Sequence, residues 1–116
     1  MSDLERDAFR IGHMLEACRK ARKFAGTDRD EFWHSEMRQA ATVRAIQILG
    51  EAAKLVSPEV QYRFAEVPWR GMAGMRNVIV HEYFDVQLEV VWEVVSERLE
   101  ELEDNLAKIL AKLDVE

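Results

Sequence analysis

The chain has few of the residues that cross-link, break or kink a backbone. Its 116 residues include one cysteine, two prolines and five glycines. With Cys18 alone, no intrachain disulfide can form. A single cysteine within an apolar helical stripe reads as a small buried hydrophobe. So little Pro and Gly leaves scant material for a turn-rich all-β fold. No uninterrupted apolar run approaches the ~20 residues needed to span a bilayer. The first residues, Met1-Ser2-Asp3-Leu4-Glu5-Arg6-Asp7, are acidic and unlike a signal peptide, so the cytoplasm is the expected compartment. His13, His34 and His81 fall on different segments, without the spacings of a zinc or di-iron site. No metal or other cofactor is expected. Neither a G-x-G-x-x-G nor a Walker pattern is present to cradle nucleotide phosphate. Positive charge is also short: the net charge is −6, against a free-standing nucleic-acid binder.

Helical periodicity is plentiful. Leu4, Ala8, Ile11, Leu15 and Cys18 recur at spacings of four and three, which predicts a helix over 3–25. Ser2 and Glu5 form a capping box before it, and Gly26-Thr27-Asp28 ends it. A second helix is expected from Asp28 or Asp30 to about Val56. It carries two apolar stripes, Val43/Ile46/Leu49/Ala53/Val56 and Ala41/Ala45/Ile48/Ala52/Leu55. Such a helix is either central or faces its own core on one side and a partner chain on the other. Ser57-Pro58 stops it. Residues 59–66 read as a short helix or turn. Pro68 suits the first turn of a third helix over 69–81, where Gly71, Ala73 and Gly74 would let another backbone approach. Asp85 is the expected cap of the last helix. There Leu88, Val91, Val95, Leu99, Leu102, Leu106, Ile109 and Leu113 form a seam for coiled-coil-like packing. The fold class is all-α: one domain, 1–116, an antiparallel bundle of four main helices with room for a short extra one.

Charge is segregated along the chain. Arg19, Lys20, Arg22 and Lys23 form a basic run, and nine acids between Glu82 and Asp104 face only Arg98. A basic run is most often a solvated helix face, but beside a polyanion site it becomes a set of phosphate contacts. Trp33, Trp69 and Trp92 read as core anchors, with Trp33 the one candidate for stacking on a base. His34 reads as a surface residue.

The densest chemistry lies in Gly74-Met75-Arg76-Asn77-Val78-Ile79-Val80-His81-Glu82-Tyr83-Phe84-Asp85. Histidine can take or give a proton near neutrality, and arginine can clamp a phosphate. RNA supplies its own nucleophile in the 2′-hydroxyl, so these residue types suit metal-independent RNA cleavage. The geometry is awkward, because five positions on a regular helix set Arg76 and His81 about 140° apart. They meet only if the helix unwinds near His81 or if two copies come together. Asn77, four positions before His81, is its helical neighbour. The bland alternative is that Arg76 pairs with an acid and His81 caps a helix end.

Arg76-Asn77-Val78-Ile79-Val80-His81-Glu82-Tyr83 resembles the R-x4-H-x-Y signature of HEPN-domain toxins, in particular the HepT-like (DUF86) family. Arg44-Ala45-Ile46-Gln47-Ile48-Leu49-Gly50-Glu51-Ala52, Val67-Pro68-Trp69-Arg70-Gly71-Met72 and Val90-Val91-Trp92 resemble other segments of that family, in the same order. The resemblance implies a HEPN-type homodimer that is a metal-independent endoribonuclease, the toxin of a HEPN/MNT toxin–antitoxin system. Its active site would lie at the dimer interface, with RNA as substrate. Arg76 would be the phosphate clamp, His81 the acid/base and Asn77 its support. An MntA-like minimal nucleotidyltransferase antitoxin would inactivate it by AMPylation of Tyr83. Arg19, Lys20, Arg22 and Lys23 are the candidate RNA contacts. The second reading is a non-catalytic HEPN dimer that binds nucleotide or a nucleotidyltransferase, and the third is a purely structural bundle.

Overall fold

The computed structural model describes residues 2–74 and 87–115, and every described element is helical. α1 spans Asp3–Ala25, α2 Arg29–Trp33, α3 Glu36–Leu55 and α4 Pro58–Arg63. Residues 69–74 belong to α5. α6 (Leu88–Glu93), a π-helical turn (Val94–Arg98) and α7 (Leu99–Val115) run on without a break. The all-α expectation holds. No described helix is long and apolar enough to cross a membrane.

The helix starts follow local capping chemistry. Ser2, Asp28, Ser35 and Ser57 each accept a backbone N–H three residues on, from Glu5, Glu31, Arg38 and Val60. Each satisfies one of the donors that a first turn leaves without an intrahelical partner. Pro58 sits in the first turn of α4, where its missing N–H is not needed. The single helix expected from Asp28 to Val56 is in fact two. α2 stops at Trp33, and Ser35 starts α3 afresh. Gln39 Nε2 donates to the carbonyls of Phe32 (3.0 Å) and Trp33 (2.9 Å), which bridges the break, and the Phe32 carbonyl also accepts the Ser35 N–H. Asp85 lies outside the described residues, and Gln87 holds the cap position of α6 without a side-chain cap bond.

α1, not the helix after it, is central: among the described elements it packs most extensively on α3 and next on α7. It runs antiparallel to both. At one end Asp7 meets Ser57 beyond α3, and at the other Arg38 of α3 donates to the Phe24 carbonyl. Of the α1 stripe, Ile11, Leu15 and Cys18 are buried and Leu4 and Ala8 half-buried, and all five members of the first α3 stripe are buried. Of the second α3 stripe, Ala45 and Ala52 are buried while Ile48 and Leu55 are exposed. The last seam is buried from Val91 to Leu113, and Leu88 packs against it half-buried. Among the described residues nothing comes within 4 Å of a Cβ placed on Gly74, and one on Gly71 meets only Pro68 at 3.7 Å. The close backbone approach expected at these glycines is therefore absent from the described part.

Cys18 is fully buried, and its thiol donates to the Leu99 carbonyl at 3.3 Å. Trp69 is a core anchor whose Nε1–H donates to the Phe64 carbonyl at 3.0 Å. Trp92 packs on Phe32 with ring centroids 5.3 Å apart.

Candidate functional site

Arg76, Asn77, His81 and Tyr83 lie outside the described residues, which resume at Gln87. α6 carries Trp92 in its first turns, and Phe32 of α2 braces the indole.

The basic run occupies the last turns of α1. Arg22 Nη1 donates to Glu103 Oε2 at 2.7 Å, and Arg19 Nε lies 3.5 Å from Glu103 Oε1. The cause is the direction in which helical side chains lean. Each Cα–Cβ bond tilts toward its own helix N-terminus. On antiparallel helices those leans converge, so arginines of α1 meet a glutamate of α7. Glu103 was hard to single out among the acids of this region. The available signal is its place one turn from Leu99 and beside Leu102 and Leu106, at the edge of the buried seam. Lys20 Nζ pairs with Glu16 at 3.0 Å, and this contact holds the Glu16 carboxyl below its usual range. Lys23 is exposed and has no charge partner among the described residues. The run is therefore not a bare basic surface: carboxylates already hold its other three members.

A cleft of about 490 Å³ opens beside this run. Arg22, Lys23, Gly26 and Thr27 line it from α1 and the following turn, and Trp92, Val95, Ser96 and Glu100 from the last helix. Its far wall contains the π-helical turn, where the Leu99 N–H reaches five residues back to the Val94 carbonyl. From that turn Ser96 Oγ donates back to the Trp92 carbonyl of α6 at 2.6 Å. Single π turns inside α-helices frequently sit at functional sites. The near wall is fixed by Gly26, at φ 73° and ψ −167°, with Arg38 packed directly over it.

His34 is exposed, and its Nδ1 lies 2.9 Å from the Asp30 carbonyl, as a surface residue would. Trp33 is half-buried with the Arg29 guanidinium 4.5 Å over its ring, so one face of this stacking candidate is already occupied. His13 stacks on Phe9 at 4.4 Å in a groove between α1 and α3. Among the described residues no three His, Cys, Asp or Glu side chains converge as a metal site.

A family model described as "Ribonuclease HepT-like" matches residues 14–109. A "Putative RNase" of Caldanaerobacter subterraneus subsp. tengcongensis is 34% identical over 103 residues, covering 88% of this chain and 92% of that protein. A "Gamma-glutamylcyclotransferase and putative RNase" of Methanocaldococcus jannaschii is 32% identical over 105 residues. That match takes in 90% of this chain but only 47% of the longer relative. A "Probable ribonuclease HepT" of Thermococcus cleftensis is 35% identical over 80 residues, 69% of this chain and 73% of that protein. No solved structure matches significantly. With a family model spanning most of the chain and relatives of comparable length at about one-third identity, the chain belongs to the HepT-like family.

Proposed function

We propose that residues 1–116 form one HEPN domain that cleaves RNA without a metal, as the toxin of a toxin–antitoxin pair. The observation that carries this reading is the family match, which runs through the whole R-x4-H-x-Y stretch, Arg76 to Tyr83. Relatives named as RNases support the substrate class. In this mechanism His81 takes the proton from a ribose 2′-hydroxyl, the 2′-oxygen attacks phosphorus, and the P–O5′ bond breaks as the leaving 5′-oxygen takes a proton from water. Arg76 holds the charge that builds on the phosphoryl oxygens, and Asn77 orients His81. A two-fold axis would bring both pairs into one cleft and resolve the 140° separation given above. The partner would be an MntA-like nucleotidyltransferase, which blocks the cleft by placing AMP on Tyr83. The added phosphate and nucleotide bulk would oppose RNA phosphate in the same space.

The test is cleavage of a labelled single-stranded RNA in EDTA by homogeneous protein. Wild type should leave 2′,3′-cyclic phosphate and 5′-hydroxyl ends, and His81→Ala and Arg76→Ala should not cleave. Undiminished cleavage by His81→Ala would sink the mechanism. Intact mass after co-expression with a nucleotidyltransferase should rise by AMP units in wild type and not in Tyr83→Phe.

One observation favours the non-catalytic HEPN dimer that binds nucleotide or a nucleotidyltransferase. Carboxylates hold three of the four basic-run residues, in a chain of net charge −6. Pure protein that binds such a partner yet leaves RNA intact would decide for that reading.

A further inference from the structure

The cleft between the end of α1 and the π-helical turn is a chemically mixed space that the cleavage mechanism above does not use. Its volume of about 490 Å³ lies within the range of small-ligand sites, roughly 300–1,000 Å³. One side offers the ammonium of Lys23, left without a charge partner among the described residues, with the Arg22 guanidinium beside it. Another offers Val95 and the part of Trp92 that Phe32 does not cover. Thr27 and Ser96 contribute hydroxyls and Glu100 a carboxylate. Cations beside an aromatic surface are how proteins hold single-stranded nucleic acid, with the phosphate on the charge and the base on the ring. The cleft also stands at the helix that resumes directly after the Arg76–Tyr83 stretch.

We propose that this cleft is a subsite for one nucleotide of single-stranded RNA flanking the cleaved bond, with its phosphate on Lys23 and its base against Trp92. The charges fix the orientation. A phosphate cannot face Glu100, so the carboxylate receives a donor, a base N–H. The π turn widens the helix where Ser96 and Val95 line the space, and the Ser96–Trp92 hydrogen bond holds that turn in shape. This inference rests on the ribonuclease reading and deepens it.

The experiment measures both cleavage and binding. Fluorescence anisotropy follows a labelled single-stranded RNA carrying 2′-O-methyl groups, which cannot supply the nucleophile, across a salt series. Cleavage of the unmodified RNA gives kcat and KM. Lys23→Ala should weaken binding and lower the salt slope by about 0.7, the share of one single-strand phosphate contact. Thr27→Trp, which fills the cleft from an exposed turn, should weaken binding with the slope unchanged. Both variants should raise KM and spare kcat, and Lys54→Ala on α3 should change neither. If wild type cleaves and both cleft variants bind and cleave as wild type does, the subsite is wrong and the ribonuclease reading stands. If wild type binds but does not cleave, the ribonuclease reading fails, and the variants' binding still decides the subsite. If wild type does not bind RNA at all, the subsite fails with it.

Discussion

Arg22 Nη1 and Glu103 Oε2 stand 2.7 Å apart across α1 and α7, and the same glutamate holds Arg19 through its other oxygen. One carboxylate therefore engages two members of the chain's densest basic run and offsets one of their two charges. Arg22 is about one-third exposed and Glu103 one-fifth, so solvent screens the pair and its net stabilisation stays below ~1 kcal/mol. Its larger effect is on the surface potential. Glu103→Gln should lower the melting temperature only slightly. It should also tighten RNA binding and steepen its salt dependence by up to two phosphate contacts, read by anisotropy between low and moderate salt. Unchanged affinity would mean that this face of α1 does not meet RNA.

Cys18 is inert for a physical reason. Burial, with the charge of Glu103 nearby, pushes its thiol up to about 12. The native protein should resist iodoacetamide at pH 8 and react only after unfolding. The sign of the linked stability follows. The native thiol keeps its proton at pH values where the unfolded chain releases it, so the unfolded state binds fewer protons. Stability from this group is complete below the ordinary thiol value of 9 and declines as pH rises from there toward 12. A Cys18→Ala variant, compared with wild type by denaturant unfolding from pH 8 to 11, should lack that component of the decline.

These local features differ in how visible they are in the sequence. The helical class, the α1 stripe and the final seam can be read directly, because apolar residues recur at three and four. The break after Trp33 is hidden, since Phe32, Trp33 and Met37 keep apolar residues coming through it. Only the cap chemistry of Ser35 and the reach of Gln39 reveal it. The π turn left a trace: Val91, Val95 and Leu99 are spaced four and four. On a regular helix that spacing drifts about 80° off the seam. A turn holding one extra residue absorbs the drift and keeps all three buried. The pairing of Arg22 with Glu103 was not legible, because charge counts do not say which acid faces which base. Arg76 and His81 are singled out by the family resemblance alone, since helical angles set them apart and both lie outside the described residues.

Gly26 is the position where the backbone itself demands glycine. Its φ of 73° with ψ of −167° falls in a region nearly closed to residues with a Cβ. A Cβ there would also meet Arg38 Nη1 at 3.1 Å, and that same nitrogen donates to the Phe24 carbonyl at the end of α1. Gly26→Ala should cost about 1–3 kcal/mol, seen as a lower denaturation midpoint. Because Gly26 and Arg38 fix one wall of the cleft, RNA binding should also weaken at temperatures where the variant is fully folded. A variant as stable as wild type would show that the turn can relax into an ordinary conformation.

Asp7 supplies the other tie that holds α1 against α3. It is 5% exposed, and its oxygens accept the Ser57 backbone N–H at 2.8 Å and the Ser57 hydroxyl at 2.7 Å. The Ser57 oxygen in turn accepts the Val60 N–H and starts α4. One carboxylate therefore closes α3, orients a cap and pins the beginning of α1. Asp7→Ala removes both acceptors and should cost about 2–4 kcal/mol, as a lost pair of hydrogen bonds to a charged group plus donors left buried. Asp7→Asn keeps one acceptor but turns a donor toward Ser57 Oγ. That oxygen would then face the Asn and Val60 N–H groups while its own proton loses its acceptor. The cost should be intermediate, about 1–2 kcal/mol. Urea unfolding of the two variants at one pH measures the order. Equal losses for Ala and Asn would mean that the Ser57 hydroxyl, rather than the N–H, carries the tie.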